Sequence, residues 1–135
     1  MIKSYVEEAN SAVADALISQ TLEPIPFTHF HAIEIRTALR LKCARGEITD
    51  SQLKGALGAL QNDLDSGRLE RPTYDLPIVF HKAEELSAKY AVITLTRSLD
   101  ILHVAAAVVI GSKQFITFDS RQAALASKTG LASRN

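Results

Sequence analysis

Apolar residues recur at helical spacing along the first half of the chain, and they predict three helices. The first covers about residues 5–19, and the segment TLEPIPF that follows predicts a short extended piece because its two prolines exclude a helix interior. Thr28 predicts the N-cap of a second helix over residues 29–44. Thr49 and Gln52 form a capping box that predicts the start of a third helix. The expected buried stripe of that helix consists of leucines, namely Leu53, Leu57, Leu60 and Leu64.

The second half of the chain alternates helical patterns with extended ones. RLERPTYDL predicts an extended link, and Pro77 predicts the first turn of a helix over about residues 77–90. The run TRSLDILHVAAAVVI at residues 96–110 is apolar almost all round, which predicts a buried helix. KQFITF predicts a short strand leading to Asp119, and SRQAALASKTG predicts a helix after it. We therefore predict one helix-rich α/β domain over residues 1–135, with a short parallel sheet.

Composition and charge narrow the functions that this chain can have. Lysine plus arginine and aspartate plus glutamate number 15 each, so no global field draws the protein to nucleic acid and any polyanion binding must come from a local patch. The longest strongly apolar stretch, residues 101–110, is too short to span a bilayer. The single cysteine, Cys43, lies in a helical pattern and favours a structural thiol in a reducing cytosol. We expect a cytoplasmic protein with no membrane partner.

The helix predicted over residues 29–44 carries a locally basic side. The candidate RNA-binding patch consists of the cations on and just after this helix, namely Arg36, Arg40, Lys42 and Arg45. Arg97 and Arg121 could add to it. The structural alternative is a solvated helix face, which is the usual role of such a run of charges.

Three acidic residues occupy positions where a carboxylate requires an explanation. Glu34 falls inside the apolar stripe of its helix, Asp100 opens the buried helix, and Asp119 ends the last core strand. Each also has a structural alternative. Glu34 could reach solvent from the edge of its stripe, and Asp100 could interact with the helix dipole. Asp119 could be an N-cap, with Gln122 completing a capping box.

If the three acids converge, their mutual repulsion requires a cation. At about 5 Å and an effective dielectric constant of about 20, each pair of carboxylates would repel by about 3 kcal/mol. Oxygen-only ligation favours Mg²⁺ or Mn²⁺, which activate water and neutralise the charge that develops on a phosphodiester during hydrolysis. The histidines show no zinc-ligand spacing, and the sequence contains no glycine-rich phosphate loop, serine-centred elbow or paired CxxC motif. Common nucleotide-binding, esterase and redox functions are therefore not expected.

Two segments of the sequence resemble a known family. RSLDILHVAAAVVIGSKQFITFDSRQAALASKTGL resembles the C-terminal half of a PIN-domain nuclease, and FTHFHAIEIRTAL resembles the family segment that bears its helical glutamate. The resemblance covers nearly the whole chain and points to the VapC-like toxins of bacterial toxin and antitoxin pairs. Its most specific part is the combination of RSLDILHVAAA with FITFD.

This resemblance implies a three-layer α/β/α fold and an endoribonuclease that depends on Mg²⁺ or Mn²⁺. Glu34, Asp100 and Asp119 match three acids of the family, which makes them the expected catalytic residues and metal ligands. Thr117 matches a polar catalytic residue beside the last acid. The resemblance further implies an RNA substrate, a cognate antitoxin protein as partner, and a homodimer.

The sequence departs from this family at its start. PIN domains similar to this one begin with a short apolar strand ending in an Asp, which lies in the middle of the sheet and precedes a segment like IKSYVEE. Here MIKSYVEE starts the chain, so we expect the central strand and its aspartate to be missing. An upstream start, a natural degenerate copy or completion of the sheet by a partner would each account for this difference. We favour the first, because the other motifs are intact.

We therefore expect a toxin-type endoribonuclease whose metal site is incomplete in this chain. Its cleavage of RNA should be weak or absent, and an added upstream strand that ends in Asp should restore it. The alternative is a catalytically dead PIN-like domain that binds an antitoxin or dimerises. A third hypothesis is an α/β domain in which Glu34, Asp100 and Asp119 are unrelated and lie far apart.

Overall fold

The computed structural model of the chain describes residues 23–134. Contacts within the chain divide it into two compact units, unit 1 (Met1–Arg71) and unit 2 (Pro72–Asn135). The helix predicted over residues 5–19 lies outside the described residues. Within the described range, no helix combines the length and the apolar character that a membrane crossing requires. The assignment of residues 1–135 to one domain stays a prediction.

The described part of unit 1 contains two helices and a two-stranded sheet. The helices are α1 (His29–Ala44) and α2 (Asp50–Asp65), and the strands are β1 (Ile25–Pro26) and β2 (Leu69–Glu70). The two strands run parallel and pair residue for residue. The second predicted helix is confirmed at both ends, and the segments expected to be extended contain β1 and β2.

Side-chain caps decide where both helices of unit 1 begin. The main-chain N–H of Gln52 donates to Oγ1 of Thr49 at 3.1 Å, and the N–H of Thr49 donates to Oε1 of Gln52 at 2.8 Å. This reciprocal pair satisfies two donors that the first turn of a helix cannot satisfy itself. The predicted capping box of α2 is therefore confirmed, and Thr28 is the N-cap of α1 as predicted.

The core of unit 1 lies between α1, α2 and the two strands. Its buried members come from α1, α2, β2 and the residue after β1, namely Phe27, Ile35, Leu39, Ala56, Leu60 and Leu69. Leu60 of the predicted leucine stripe is only 1% exposed, and the other three leucines of that stripe are partly buried and pack against the core. Burial of one such leucine contributes about 1.5 to 3 kcal/mol. The periodic leucines of α2 therefore hold it on the sheet and on α1.

The described part of unit 2 contains three helices and a second pair of parallel strands. In chain order they are α3 (Leu76–Thr94), α4 (Ser98–Val109), β3 (Gln114–Ile116), α5 (Ser120–Lys128) and β4 (Ala132–Arg134). Strands β3 and β4 pair in parallel, and α3 packs against both α4 and α5. Strand β4 is not predicted from the sequence, because three residues are too few to show a period.

Helix α3 is longer than the sequence pattern predicts. Its N-cap is Asp75, whose Oδ1 accepts a hydrogen bond from the N–H of Ile78 at 3.3 Å, so Pro77 lies in the first turn but does not start the helix. At the other end the helix continues to Thr94, whereas the prediction ended it at residue 90. The first-turn role of the proline is confirmed. The helix begins one residue earlier and ends four residues later than predicted.

Helix α4 is buried, as its apolar composition predicts. Its fully enclosed positions are Val104 and Ala105, each 0% exposed, and His103 is also buried at 5%. The helix packs against both α3 and α5. The described residues thus form a helix-rich α/β arrangement with short parallel sheets, which confirms the coarse fold class.

Candidate acidic site in unit 2

Three of the residues singled out from the sequence lie at the ends of neighbouring elements of unit 2. Asp100 occupies the first turn of α4, Thr117 follows β3, and Asp119 immediately precedes α5. Helix α5 contacts both α4 and β3. The beginnings of two helices and the carboxyl end of a strand therefore meet, which is the place where α/β proteins usually carry their sites.

Asp119 is the N-cap of α5. Its Oδ1 accepts hydrogen bonds from the main-chain N–H groups of Arg121 at 2.8 Å and Gln122 at 3.1 Å. The structural alternative of an N-cap is thus confirmed for Asp119. The capping box is not formed, because the side-chain amide of Gln122 bonds elsewhere. Both cap bonds use Oδ1, so Oδ2 of the exposed carboxylate takes part in neither.

A buried glutamine connects the candidate residues of unit 2 to one another. Oγ1 of Thr117 donates to Oε1 of Gln122 at 2.7 Å, and Nε2 of Gln122 donates to the main-chain carbonyl of Asp100 at 3.3 Å. The N–H of Asp119 donates to Oγ1 of Thr117 at 3.1 Å. Thr117 and Gln122 are only 8% and 9% exposed. We call these four residues, Asp100, Thr117, Asp119 and Gln122, the acidic network.

The role of Gln122 is the feature that the sequence interpretation missed. A glutamine three residues after an N-cap has the spacing of a capping box, so the local pattern directs attention to the wrong partner. Its bond to Asp100 crosses 22 residues of chain and depends on the packing of α5 against α4. No pattern within a single helix could have indicated it.

A pair of threonines connects the end of α3 to the start of α5. Oγ1 of Thr96 lies 2.7 Å from Oγ1 of Thr94 and 3.2 Å from the carbonyl oxygen of Arg121. Thr94 in turn donates to the carbonyl of Tyr90 at 3.0 Å. Both threonines are buried, so their hydroxyl groups gain partners within the protein in exchange for the water they lose. These bonds hold the connection before α4 against the first turn of α5.

Asp100 is partly buried at the start of a helix that has no side-chain cap. Arg97 is the N-cap of α4, and it makes no capping hydrogen bond through its side chain. The first-turn carboxylate of Asp100 faces the positive end of the helix dipole, an interaction that contributes about 0.3 to 1 kcal/mol. The dipole alternative therefore applies to Asp100, and it is compatible with a second role as a ligand.

Glu34 does not lie in the buried stripe of α1, which corrects the prediction from the helical pattern. Its side chain is exposed, and the buried positions are Phe30, Ile35 and Leu39. At about 100° per residue, Glu34 lies about 100° from Ile35 and about 140° from Leu39. Leu41 is seven residues from Glu34 and therefore lies on the same side of the helix, and it is 46% exposed. The alternative in which Glu34 reaches solvent is the one that the structure shows.

The basic patch of unit 1 is partly neutralised by a neighbouring acid. Glu47 pairs with Lys42 at 3.3 Å and with Arg45 at 3.5 Å. Arg40 is exposed and Arg36 partly buried, and neither takes part in an ion pair between described residues. Arg36 and Arg40 lie one turn apart on α1, so they form the part of the predicted patch that no ion pair among residues 23–134 offsets.

The described residues do not group three or more His, Cys, Asp or Glu side chains closely enough to hold a metal ion. Within unit 2, the acidic network joins the main-chain carbonyl of Asp100 to the main-chain N–H of Asp119, so it connects the two aspartates through their main chains. The chain matches no protein-family model, and no curated protein matches it. The acidic network is therefore the structural feature from which a function can be inferred.

Proposed function

We propose that this chain is a PIN-like endoribonuclease of the toxin type that depends on a divalent metal ion, with Asp100 and Asp119 among its metal ligands. The observation that supports this function best is the acidic network, in which buried Gln122 and Thr117 connect the main chain of Asp100 to that of Asp119. Gln122 is 9% exposed, and both polar atoms of its side chain form hydrogen bonds in this connection. It therefore holds the two acidic positions in one arrangement.

The chemistry of the donors suits Mg²⁺ or Mn²⁺. Asp119 is anchored through Oδ1, which leaves Oδ2 outside the cap bonds. Mg²⁺ usually keeps several waters and is held by one or two carboxylates together with phosphate oxygens, so two aspartates are an adequate protein contribution. When bound, the ion would activate a water molecule and offset the charge that develops on the phosphodiester. The assignment of Glu34, which lies in unit 1, as a further ligand stays a prediction.

Two exposed arginines belong to the same elements as the acids. Arg97 is the N-cap of α4, and Arg121 lies in the first turn of α5. Guanidinium groups bind phosphate oxygens through paired hydrogen bonds, and helix starts attract phosphate groups as well. We therefore assign RNA phosphate binding in unit 2 to Arg97 and Arg121, with Arg36 and Arg40 as a separate binding region in unit 1.

The remaining family expectations, a cytoplasmic location, an antitoxin partner and a homodimer, belong to this proposal.

A non-catalytic PIN-like domain that binds an antitoxin or dimerises is the second candidate function. One observation favours it: within residues 23–134, the acids do not form a group of three. In this function the acidic network stabilises the start of α4 and α5, and no metal is needed. The two functions differ in whether Asp100 and Asp119 bind a divalent ion.

Calorimetric titration with Mn²⁺ separates the two functions. The wild-type chain is compared with Asp100→Asn, Asp119→Asn and the control Asp75→Asn. Asp75 matches Asp119 closely, because it is also an exposed N-cap aspartate of unit 2 and accepts one cap bond, from Ile78. The endoribonuclease proposal expects saturable binding that the first two variants lose and the control keeps.

Absence of binding by the wild-type chain would contradict the proposal that Asp100 and Asp119 hold a catalytic metal ion in this chain, and it would support the non-catalytic domain. Equal loss of binding in Asp75→Asn would show that any damaged helix cap has the same effect, which would also count against Asp100 and Asp119 as ligands. Thermal unfolding of each variant, measured in the same buffer without metal, identifies variants that are no longer folded at the titration temperature.

A further inference from the structure

We propose that Gln122 is a positioning residue that orients the hydroxyl group of Thr117 and holds the start of α4 for metal binding; this role depends on the proposed metal site. The evidence is a hydrogen-bond relay whose two ends are main-chain groups. It runs from the N–H of Asp119 through Thr117 and Gln122 to the carbonyl of Asp100.

The main-chain groups determine the direction of every bond in this relay. The carbonyl of Asp100 can only accept, so the side-chain atom of Gln122 that meets it at 3.3 Å must be the NH₂ group. The other side-chain atom of Gln122 is therefore the carbonyl oxygen, which can only accept, and Thr117 must donate to it at 2.7 Å. The N–H of Asp119 can only donate, so the oxygen of Thr117 accepts from it at 3.1 Å.

This relay restricts what Thr117 can do next. A threonine hydroxyl has one proton and two lone pairs. The proton is committed to Gln122 and one lone pair to Asp119, so the remaining lone pair can only accept a hydrogen bond or coordinate a cation. Thr117 is therefore an acceptor toward any ligand, which suits a water of a hydrated cation and excludes donation to a phosphate oxygen.

The relay also explains why a buried glutamine is required at this position. Gln122 is 9% exposed, and both heteroatoms of its amide have partners. A carboxylate in its place could accept from Thr117 but could not donate to the carbonyl of Asp100. Methionine has a similar volume but neither a donor nor a strong acceptor, and it would leave both neighbours without their bond. Residues that orient metal ligands in this way typically affect metal affinity 10- to 100-fold when they are removed.

The test combines Gln122→Met with Thr117→Val, Thr117→Ser and a control on the same helix, Leu125→Ala. Leu125 is 0% exposed in α5, so its truncation destabilises the helix without touching the relay. We expect Gln122→Met and Thr117→Val to weaken Mn²⁺ binding at least about tenfold, measured by calorimetry where all variants are folded. Thr117→Ser keeps the hydroxyl and should retain affinity, and Leu125→Ala should bind Mn²⁺ like the wild-type chain.

A second readout follows the relay directly and does not require metal. The hydroxyl proton of Thr117 should exchange slowly with water and show a nuclear Overhauser effect to the side chain of Gln122 in proton NMR spectra. A rapidly exchanging Thr117 hydroxyl in the wild-type chain would overturn the relay. Unchanged Mn²⁺ affinity in Gln122→Met, or equal loss in Leu125→Ala, would overturn the positioning role alone. A wild-type chain that binds no Mn²⁺ but shows the protected hydroxyl would instead overturn the proposed function, and with it the positioning role.

Discussion

Thr28 and His31 cap each other at the start of α1. The N–H of Thr28 donates to Nδ1 of His31 at 3.0 Å, while Oγ1 of Thr28 accepts from the N–H of His31 at 3.4 Å. The imidazole ring also stacks on Phe27, with ring centroids 5.9 Å apart. A histidine thus takes the place that glutamate or glutamine usually has in a capping box. Nδ1 of His31 is committed to the helix start, which gives this histidine a structural role.

This cap predicts a measurable loss of stability in Thr28→Ala. The substitution removes the acceptor for the N–H of His31, and it should lower the free energy of unfolding by about 1 kcal/mol, with 2 kcal/mol as the upper end for such caps. Chemical denaturation monitored by circular dichroism measures the change. Thr49→Ala, which removes the corresponding cap of α2, is the matched comparison. A change below about 0.3 kcal/mol in Thr28→Ala would mean that another group replaces the cap.

Leu95 predicts a stabilising substitution. It follows the last residue of α3 with φ 57° and ψ 31°, and its side chain is 62% exposed. The left-handed region costs a residue with a Cβ about 1 to 2 kcal/mol, and glycine avoids this cost. Glycine also makes the unfolded chain more flexible, which offsets part of the gain in stability of Leu95→Gly. We expect Leu95→Gly to raise the free energy of unfolding by about 0.5 to 1 kcal/mol, measured by denaturant titration.

Leu95→Ala is the control for that experiment, because it removes the same exposed side chain but keeps a Cβ. It should give no gain in stability. If Leu95→Gly destabilised the protein as well, contacts of the leucine side chain would outweigh the backbone strain, and the interpretation of Leu95 as a strained cap would be wrong.

The thiol of Cys43 should react slowly with alkylating reagents. Its Sγ lies 3.1 Å from Oδ1 of Asp50, and this hydrogen bond, followed by burial and the negative charge of Asp50, raises the pKa of the Cys43 thiol above its ordinary value. Because the thiolate is the reactive form, a raised pKa leaves less of it at neutral pH. This agrees with the structural role expected for Cys43.

Asp50→Ala removes the hydrogen bond and the negative charge that raise the pKa of the Cys43 thiol, and it should move the pH profile of Cys43 alkylation to lower pH. The pKa falls because the acceptor and the negative charge disappear together, so the reaction becomes faster at any pH below the wild-type midpoint. Iodoacetamide kinetics followed by mass spectrometry measure the profile. Asp65→Ala, at the far end of the same helix, should leave it unchanged. An unshifted profile in Asp50→Ala would show that another group controls the thiol.

Glu34 offers a clean test of the ligand set that the family resemblance implies. Because its side chain is exposed, Glu34→Gln should change the free energy of unfolding by less than about 0.5 kcal/mol. The resemblance predicts weaker Mn²⁺ binding in this variant, by at least about tenfold if a carboxylate ligand is lost. Calorimetry against the wild-type chain measures this directly. Unchanged affinity would remove Glu34 from the ligand set and leave Asp100 and Asp119.

The arginines beside the acidic network predict a salt-dependent change in RNA binding. Each phosphate contact on a single strand contributes about 0.7 to the slope of log affinity against log salt concentration. The double variant Arg97→Ala and Arg121→Ala should therefore reduce that slope by about 1.4 if both arginines contact phosphate. Fluorescence anisotropy with a labelled RNA oligonucleotide measures it. Arg45→Ala is the comparison, since that arginine already pairs with Glu47 at 3.5 Å, and it should have a smaller effect.

Local sequence chemistry was sufficient to predict the helices of the described residues, although it missed β4 and the exact ends of α3. Thr28 and Thr49 mark two helix starts because a threonine side chain satisfies N–H groups within its own first turn. The apolar run of α4 indicates a buried helix wherever its neighbours lie. Such signals depend on residues three or four positions apart, so they can be interpreted before the tertiary structure is known. Asp119 as an N-cap belongs to the same class.

Tertiary packing decided the rest. Which side of α1 is buried depends on the position of α2 and the strands, and for that reason helical spacing alone placed Glu34 in the wrong stripe. The relay through Gln122 joins residues 22 positions apart, and only the packing of α5 against α4 brings its amide to Asp100. The sequence by itself determined the helices and the acids at their starts, because capping and periodicity are local. The structure alone decided which of those acids share a hydrogen-bond network, because that depends on contacts between elements.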